Sequence, residues 1–406
     1  MHLKISIITQ KTACYLALAA LYLCACADQQ RQQQIPPGAI PIVYTSYIFV
    51  QALVDSVPAN LLLDTGADNL YLDSLYYAAS GFNYPKTRRR SISGVGNSRQ
   101  NILIIDDSLN FTFNNHQYRT SHVVVLMLKP AGGDYLDGLL GTSYFMHNVL
   151  QVDYDNGYIK TYSSHDSIDL SGYTRIPMRA LDYSFTIPLS IKINDTLTIH
   201  GDFAVDIGSP GTIINSSVVQ QYHLDQAITH KARYYTKYAG VGNDSDGYDF
   251  IPDTVRLANH FAMQQPTVSY SIDTAGVLAA DDHMGILGGN ILSRFDLVFD
   301  FLDTALYLRP NSIYKSPFIY DRLGFTFTDR YSTLGGWVVA SITYNSQADQ
   351  HGLQIDDLIV AVNGLPVQQI PYVEQDAYFD RQKRVNLTVQ RADTTLNIAF
   401  DLISLL

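Results

Sequence analysis

Residues 61–72 read LLLDTGADNLYL, and residues 203–214 read FAVDIGSPGTII. Each stretch ends an apolar run on an aspartate and places a glycine two positions later. Asp64 follows Leu61-Leu62-Leu63, and Asp206 follows Phe203-Ala204-Val205. Gly66 and Gly208 permit a tight turn directly after the strand. Such a run lifts a carboxylate to the rim of a sheet. The two copies differ in the middle of the turn, where Thr65 answers Ile207.

The duplication extends outward in both directions. The aspartates are offset by 206 − 64 = 142 residues. The run GVGN recurs at residues 94–97 and 240–243, an offset of 146. DGLLG at 137–141 answers MGILG at 284–288, and Asp153 answers Asp300, both at an offset of 147. Four landmarks in the same order define an internal repeat. Between them, short runs of Tyr, Val, Ile, Thr and Phe are broken by Gly, Asn, Asp and Pro. IPIVYTSYIFVQALV, NILIIDDSLNFTFNN and SHVVVLMLK therefore read as strands. The pattern predicts two β-rich lobes, residues 40–170 and 171–312.

Two lobes can bring two such loops face to face. Carboxylates that close cannot both ionise near neutral pH, so they share a proton. One then acts as base and the other as acid, enough to activate a water and protonate a leaving nitrogen. LLLDTGADNLYL resembles the first active-site segment of the pepsin and retropepsin aspartic proteases. DGLLG and GILGG resemble the apolar-apolar-Gly element that each lobe of that family threads behind its catalytic loop, and NILSRFDLVFDF resembles the stretch after it. The resemblance spans residues 44–312. It implies a mainly β, two-lobed acid-protease body with Asp64 and Asp206 as the catalytic pair. Thr65 would be the inter-lobe hydroxyl, and Gly66, Gly208 and Ser209 would support the loops. Gly94, Val95 and Gly96 would form a flap tip over the cleft, and Gly240, Val241 and Gly242 a second one. Neither metal nor cofactor is required.

This chain departs from the family pattern in three places. Ile207 removes one of two reciprocal inter-lobe hydroxyls, worth about 1–3 kcal/mol of preorganisation. Ser209 keeps a hydroxyl where the family bonds the neighbouring carboxylate, but Ala67, its counterpart, has none. A less supported carboxylate is less acidic, which shifts the expected activity toward neutral pH. The first flap segment, SISGVGNSRQ, carries no tyrosine.

After residue 312 the pattern changes. LGFTF (323–327), GWVVASI (336–342) and DLIVAVNGLPV (357–367) read as strands, and SQADQHGLQIDD as a short helix ending at Gly352. IPYVEQDAYFDRQ reads as a second helix. SQADQHGLQIDDLIVAVNG resembles the core run of bacterial PDZ domains, with Gln347 in place of the usual Pro and Asp356 in place of the usual Gly. The resemblance covers residues 315–406. It implies an α+β domain whose Leu323, Gly324 and Phe325 offer backbone N–H groups to a peptide C-terminus, with the peptide added as a strand.

The composition is 47% hydrophobic and 16% charged, which describes packed globular domains. A net charge of −11 argues against nucleic acid as a partner. All three cysteines lie in the first 26 residues, so no disulfide framework or cysteine metal site is available beyond them. Residues 1–26 show a positive front, a short apolar run and the sequence LCAC, as a signal peptide does. LCAC resembles a bacterial lipobox, which implies lipidation at Cys26. Residues 27–39 read as a polar, Gln- and Pro-rich linker. The expectation is an aspartic endopeptidase acting on peptides or unfolded segments, lipid-anchored in a bacterial envelope, at the outer membrane facing the periplasm or cell surface. The alternative is a non-catalytic peptide-binding lipoprotein with a degenerate protease body.

Overall fold

The computed structural model describes residues 35–113, 116–181, 184–241 and 244–406. The leader with Cys26, most of the linker, and Gly242 lie outside the described residues. The strand Ile48–Val54 turns through Asp55 and Ser56 into Val57–Leu63. Both turn residues take positive φ, 40° and 72°, the backbone that joins two twisted strands without splaying them. One face of this hairpin, with Ile48, Val50, Leu61 and Leu63, packs into the main core. The other, with Phe49 and Leu62, packs into a second apolar cluster. Burial on both faces explains the unbroken Leu61-Leu62-Leu63 run.

The next elements place the carboxylates. Gly138–Leu140 threads between Val57–Leu63, which it parallels, and Leu70–Asp73, which it opposes. In the second lobe Gly285–Leu287 threads in the same way between Thr198–Val205 and Ile213–Ile214. The threading is tight. A Cβ on Gly285 would lie 2.1 Å from the Ile213 carbonyl oxygen, and its φ of 156° also favours glycine. Asp64 N–H donates to Leu140 O at 3.1 Å, and Asp206 N–H donates to Leu287 O at 3.0 Å. Each aspartate is thus pinned by the threaded strand of its own lobe.

The lobes meet in one six-stranded sheet. Its order is Ile40–Pro41, Tyr158–Tyr162, Val149–Asp153, Phe295–Asp300, Ala305–Pro310 and Thr174–Pro177. Each repeat contributes three neighbouring strands. At the junction Gln151 pairs with Val298. Their separation, 298 − 151 = 147, equals the sequence offset of the repeat. A pseudo-twofold axis therefore passes through this pair, and the same axis relates the two aspartate loops.

Residues beyond 320 build a separate core around Trp337, Val339, Phe379, Leu387 and Phe400. The helix Gln347–Gln350 starts at Ser346, whose hydroxyl accepts from Asp349 N–H. This C-terminal domain is tied to both lobes. The second-lobe strand Ala232–Thr236 pairs antiparallel with Gly336–Thr343, extending one sheet across the boundary. Asp134 of the first lobe accepts from Arg330 Nε, Ser332 Oγ and Thr333 N–H at 2.8–2.9 Å. Asp356 adopts a φ of 69°, which explains why related domains favour glycine there. Its carboxylate accepts from Tyr238 Oη at 3.1 Å and pairs with Lys237, both of the second lobe. Among the described residues no helix is long and apolar enough to cross a membrane.

Candidate active site

Asp64 and Asp206 face each other across the pseudo-twofold axis. A Cβ built on Gly66 would fall 2.6 Å from Asp206 Oδ2, and one on Gly208 would fall 2.6 Å from Asp64 Oδ1. Each carboxylate therefore lies on the other loop's glycine, where no side chain fits. Gly66 and Ala67 N–H donate to Asp64 Oδ1 at 2.8 and 3.0 Å. Gly208 N–H donates to Asp206 Oδ1 at 2.8 Å.

Thr65 joins the loops. Its hydroxyl donates to Val205 O at 2.8 Å and accepts from Ile207 N–H at 3.0 Å. Ile207 makes no reciprocal side-chain bond. Its side chain is 2% exposed and fills the main core, while its amide serves Thr65. One hydroxyl thus satisfies two buried backbone groups of the opposite loop. Thr65→Val keeps the shape and strands both groups, so it is expected to destabilise the chain by about 1–3 kcal/mol. Thr65→Ser should cost less. Denaturant unfolding of the two variants measures the difference, and equal loss would contradict this role for the hydroxyl.

Ser209 does not act through its hydroxyl as the sequence reading expects. Ser209 Oγ donates to Gly211 O at 2.9 Å, a carbonyl of its own turn. Serine hydroxyls readily take such local backbone partners. The Ser209 backbone N–H supports Asp206 instead, along with that of Gly66. Neither carboxylate therefore receives a side-chain hydroxyl from the residue after its glycine.

Both carboxylates are half-buried, reachable from a chamber and otherwise enclosed by protein. Burial pushes both above the ordinary carboxylate range. For Asp64 the facing charge of Asp206 adds to burial, so its carboxyl lies well above that range. The two carboxylates therefore hold a proton between them, and neither ionises as a free aspartate does. A carboxyl raised by folding stabilises the fold at low pH, and that contribution is lost as pH rises through the raised value. The pair therefore strains the fold at neutral pH. Asp64→Asn removes the strain, and its melting temperature is expected to exceed the unmodified chain's at pH 7 by more than at pH 4. Thermal unfolding at both pH values tests the sign.

A chamber of about 870 Å³ surrounds the pair. Two hairpin tips roof it. The first joins Thr87–Ser93 to Arg99–Ile105, and the second joins Ala232–Thr236 to Ser245–Phe250. The tips touch: a Cβ on Gly94 would lie 2.5 Å from Val241 Cβ, and one on Gly240 would lie 3.5 Å from Val95 Cβ. The first tip is also bonded to the second lobe. Val277 N–H donates to Gly94 O at 3.1 Å, Thr274 N–H to Asn97 Oδ1 at 2.8 Å, and Asn97 Nδ2 to Asp273 Oδ1 at 2.9 Å. Gly96 lies in the same turn, with its carbonyl against Gly276. Gly242 is outside the described residues.

The C-terminal domain supplies the remaining wall. Among the described residues its strand Phe325–Arg330 pairs with one strand, Gly336–Thr343. Across from it stands the helix Gln375–Asp380, with Phe379 against Phe325 and Phe327, and Gln375 bonded to Asp329. Residues 322–402 match the family model described as PDZ domain. The chain carries a PDZ domain at its C-terminus. The solved structure of an aspartic proteinase from Irpex lacteus is similar to this chain at 15% identity and a TM-score of 0.40, covering 68% of this chain and 98% of that one. No curated protein matches the chain.

The loop before the PDZ edge strand departs from the expectation of free donors. Leu323 and Gly324 N–H do not point at an open site. They donate to Asp321 Oδ1 and Oδ2 at 2.8 and 3.1 Å. Phe325 is buried in the domain core. An Asx turn, with the carboxylate two and three residues before its donors, fills the loop. The spacing Asp321-Arg322-Leu323-Gly324 carries this signal in the sequence.

Other chamber residues carry no motif. Tyr47, which lines the chamber with Asp64, Asp206 and Asp376, is pushed up to about 12 by burial and by the charges of Asp376, Asp206 and Asp64. Ser46 Oγ donates to Asp376 Oδ2 at 3.1 Å, and Tyr135 stacks on Tyr372 with ring centroids 4.7 Å apart.

Proposed function

We propose that this chain is an aspartic-type endopeptidase. The observation that carries it is the enclosed pair of carboxylates, each seated on the other loop's glycine in a roofed chamber. The ionised carboxylate of the pair takes a proton from a water placed between Asp64 and Asp206, and the protonated one donates its proton to the carbonyl oxygen under attack. The first then passes its new proton to the leaving nitrogen as the C–N bond breaks, while the second takes a proton back from the intermediate's hydroxyl, so the pair again holds one proton between two carboxylates. The paired tips exclude bulk water from this exchange. The substrate is an extended peptide or unfolded segment, taken into the chamber beneath the two tips.

The PDZ domain supports peptide docking beside the pair. The leader sequence LCAC supports lipid anchoring at Cys26 in a bacterial envelope. Cys26→Ala is expected to move the chain from the membrane to the soluble fraction on fractionation, and unchanged membrane recovery would contradict the anchor.

The test of the reading is cleavage itself. The chain is incubated with a reduced, alkylated protein across pH 3–8, and new N-termini are read by mass spectrometry. Internal cuts are expected in the unmodified chain only. No cuts at any pH, or the same cuts from a chain lacking both carboxylates, favours a peptide-binding protein with a degenerate protease body.

A further inference from the structure

A PDZ loop that reads C-termini offers its N–H groups to a terminal carboxylate. Here Leu323 and Gly324 N–H are spent on Asp321. An arriving terminal carboxylate would have to displace Asp321 and then lie beside its negative charge.

The rest of the groove is differently disposed. The strand Phe325–Arg330 keeps one edge unpaired by any strand among the described residues. Its far end is closed, because Asp134 N–H donates to Asp329 O at 2.6 Å and Gln375 bridges to Asp329. Residues 325–328, with Leu323, line the same chamber as Asp64 and Asp206. One continuous hollow therefore runs from the PDZ edge strand to the paired carboxylates.

We propose that the PDZ domain takes an internal, extended segment of the substrate chain, not a free C-terminus, and lays it along the edge of residues 325–328 within the catalytic chamber. This rests on reading the chamber as the substrate cleft. Main-chain pairing along the edge holds the segment, and Leu323, Phe327 and Tyr372 supply apolar contact. The occupant needs no terminal carboxylate, because Asp321 already fills that role. It continues past the groove toward the carboxylates.

The test uses the full chain carrying Asp64→Asn, immobilised so that nothing is cleaved. A degenerate decapeptide library is applied once as free acids and once as C-terminal amides. Retention of the two forms is expected to agree within about twofold. Adding Asp321→Ala frees the donors, so free acids should then be retained about tenfold over amides, with amide retention unchanged. A tenfold preference for free acids in the chain that keeps Asp321, or no retention of either form, overturns the proposal. The acid-to-amide comparison stands even where Asp321→Ala fails to fold. Retention does not require catalysis. A chain that never cleaves yet retains both forms equally defeats the endopeptidase reading alone. A chain that cleaves but prefers free acids defeats the internal-segment reading alone.

Discussion

Asp206→Asn and Asp64→Asn are each expected to lower kcat/KM by about 10²–10⁴, the range of a lost general acid or base. An asparagine in either place keeps the size of the side chain but cannot pass a proton. The loops should survive the change, because backbone amides and Thr65 position them. Gly66, Ala67 and Gly208 N–H can donate to an amide oxygen as they do to a carboxylate oxygen. Peptide retention should therefore persist while turnover is lost. Steady-state kinetics on one peptide, with melting curves as a folding control, measures this. The double variant should be no worse than either single one, since the residues act as a unit. Two independent losses that multiply would contradict a shared proton.

Asp134→Ala is expected to cost about 3–5 kcal/mol, the range for removing one partner of a buried ion pair. The Asp134 and Arg330 side chains are 8% and 10% exposed. Burial opposes the charge on Asp134, but Arg330, Ser332 and Thr333 together outweigh it and hold the carboxyl below its usual range. Without it, the Arg330 guanidinium stays buried and unpaired at the boundary of the first lobe and the PDZ domain. Urea unfolding should show the loss, and protease should cut the connecting stretch 311–321 faster. A loss below about 1 kcal/mol would contradict the role assigned to this contact. The sign with pH is opposite to that of the Asp64–Asp206 pair. A carboxyl lowered by folding stabilises above its unfolded value, and that contribution is lost only as pH falls through the lowered one. Mild acid should thus relieve the paired aspartates while the domain contact persists.

The duplicated Asp-X-Gly loops were legible because each signal is local. An apolar run, a carboxylate and a turn glycine occupy six consecutive residues, 61–66 and 203–208, and the repeat offset of 147 reappears in the Gln151–Val298 pairing. The partners of Thr65 were legible too, since they are backbone and do not depend on residue 207. Ser209 was misread because a hydroxyl in a turn can choose its own carbonyl, and sequence does not rank that choice. The filled PDZ loop was readable in principle, as Asp321 precedes its donors by two and three residues. The seating of the PDZ domain against the cleft was not. Asp134 and Arg330 lie 196 residues apart, and neither belongs to a motif. Asp376 reaches the chamber wall, where it accepts from Ser46, only through packing of the domain onto the first lobe.

The most direct test of the shared-proton pair is the dependence of kcat/KM on pH for one internally cleaved peptide. A bell is expected, rising and falling with two apparent values, because only the singly protonated pair can act. Burial and the lack of hydroxyl support place that bell toward neutral pH. A maximum below about pH 3, or a rate that climbs steadily through pH 8 with no falling limb, would contradict the account.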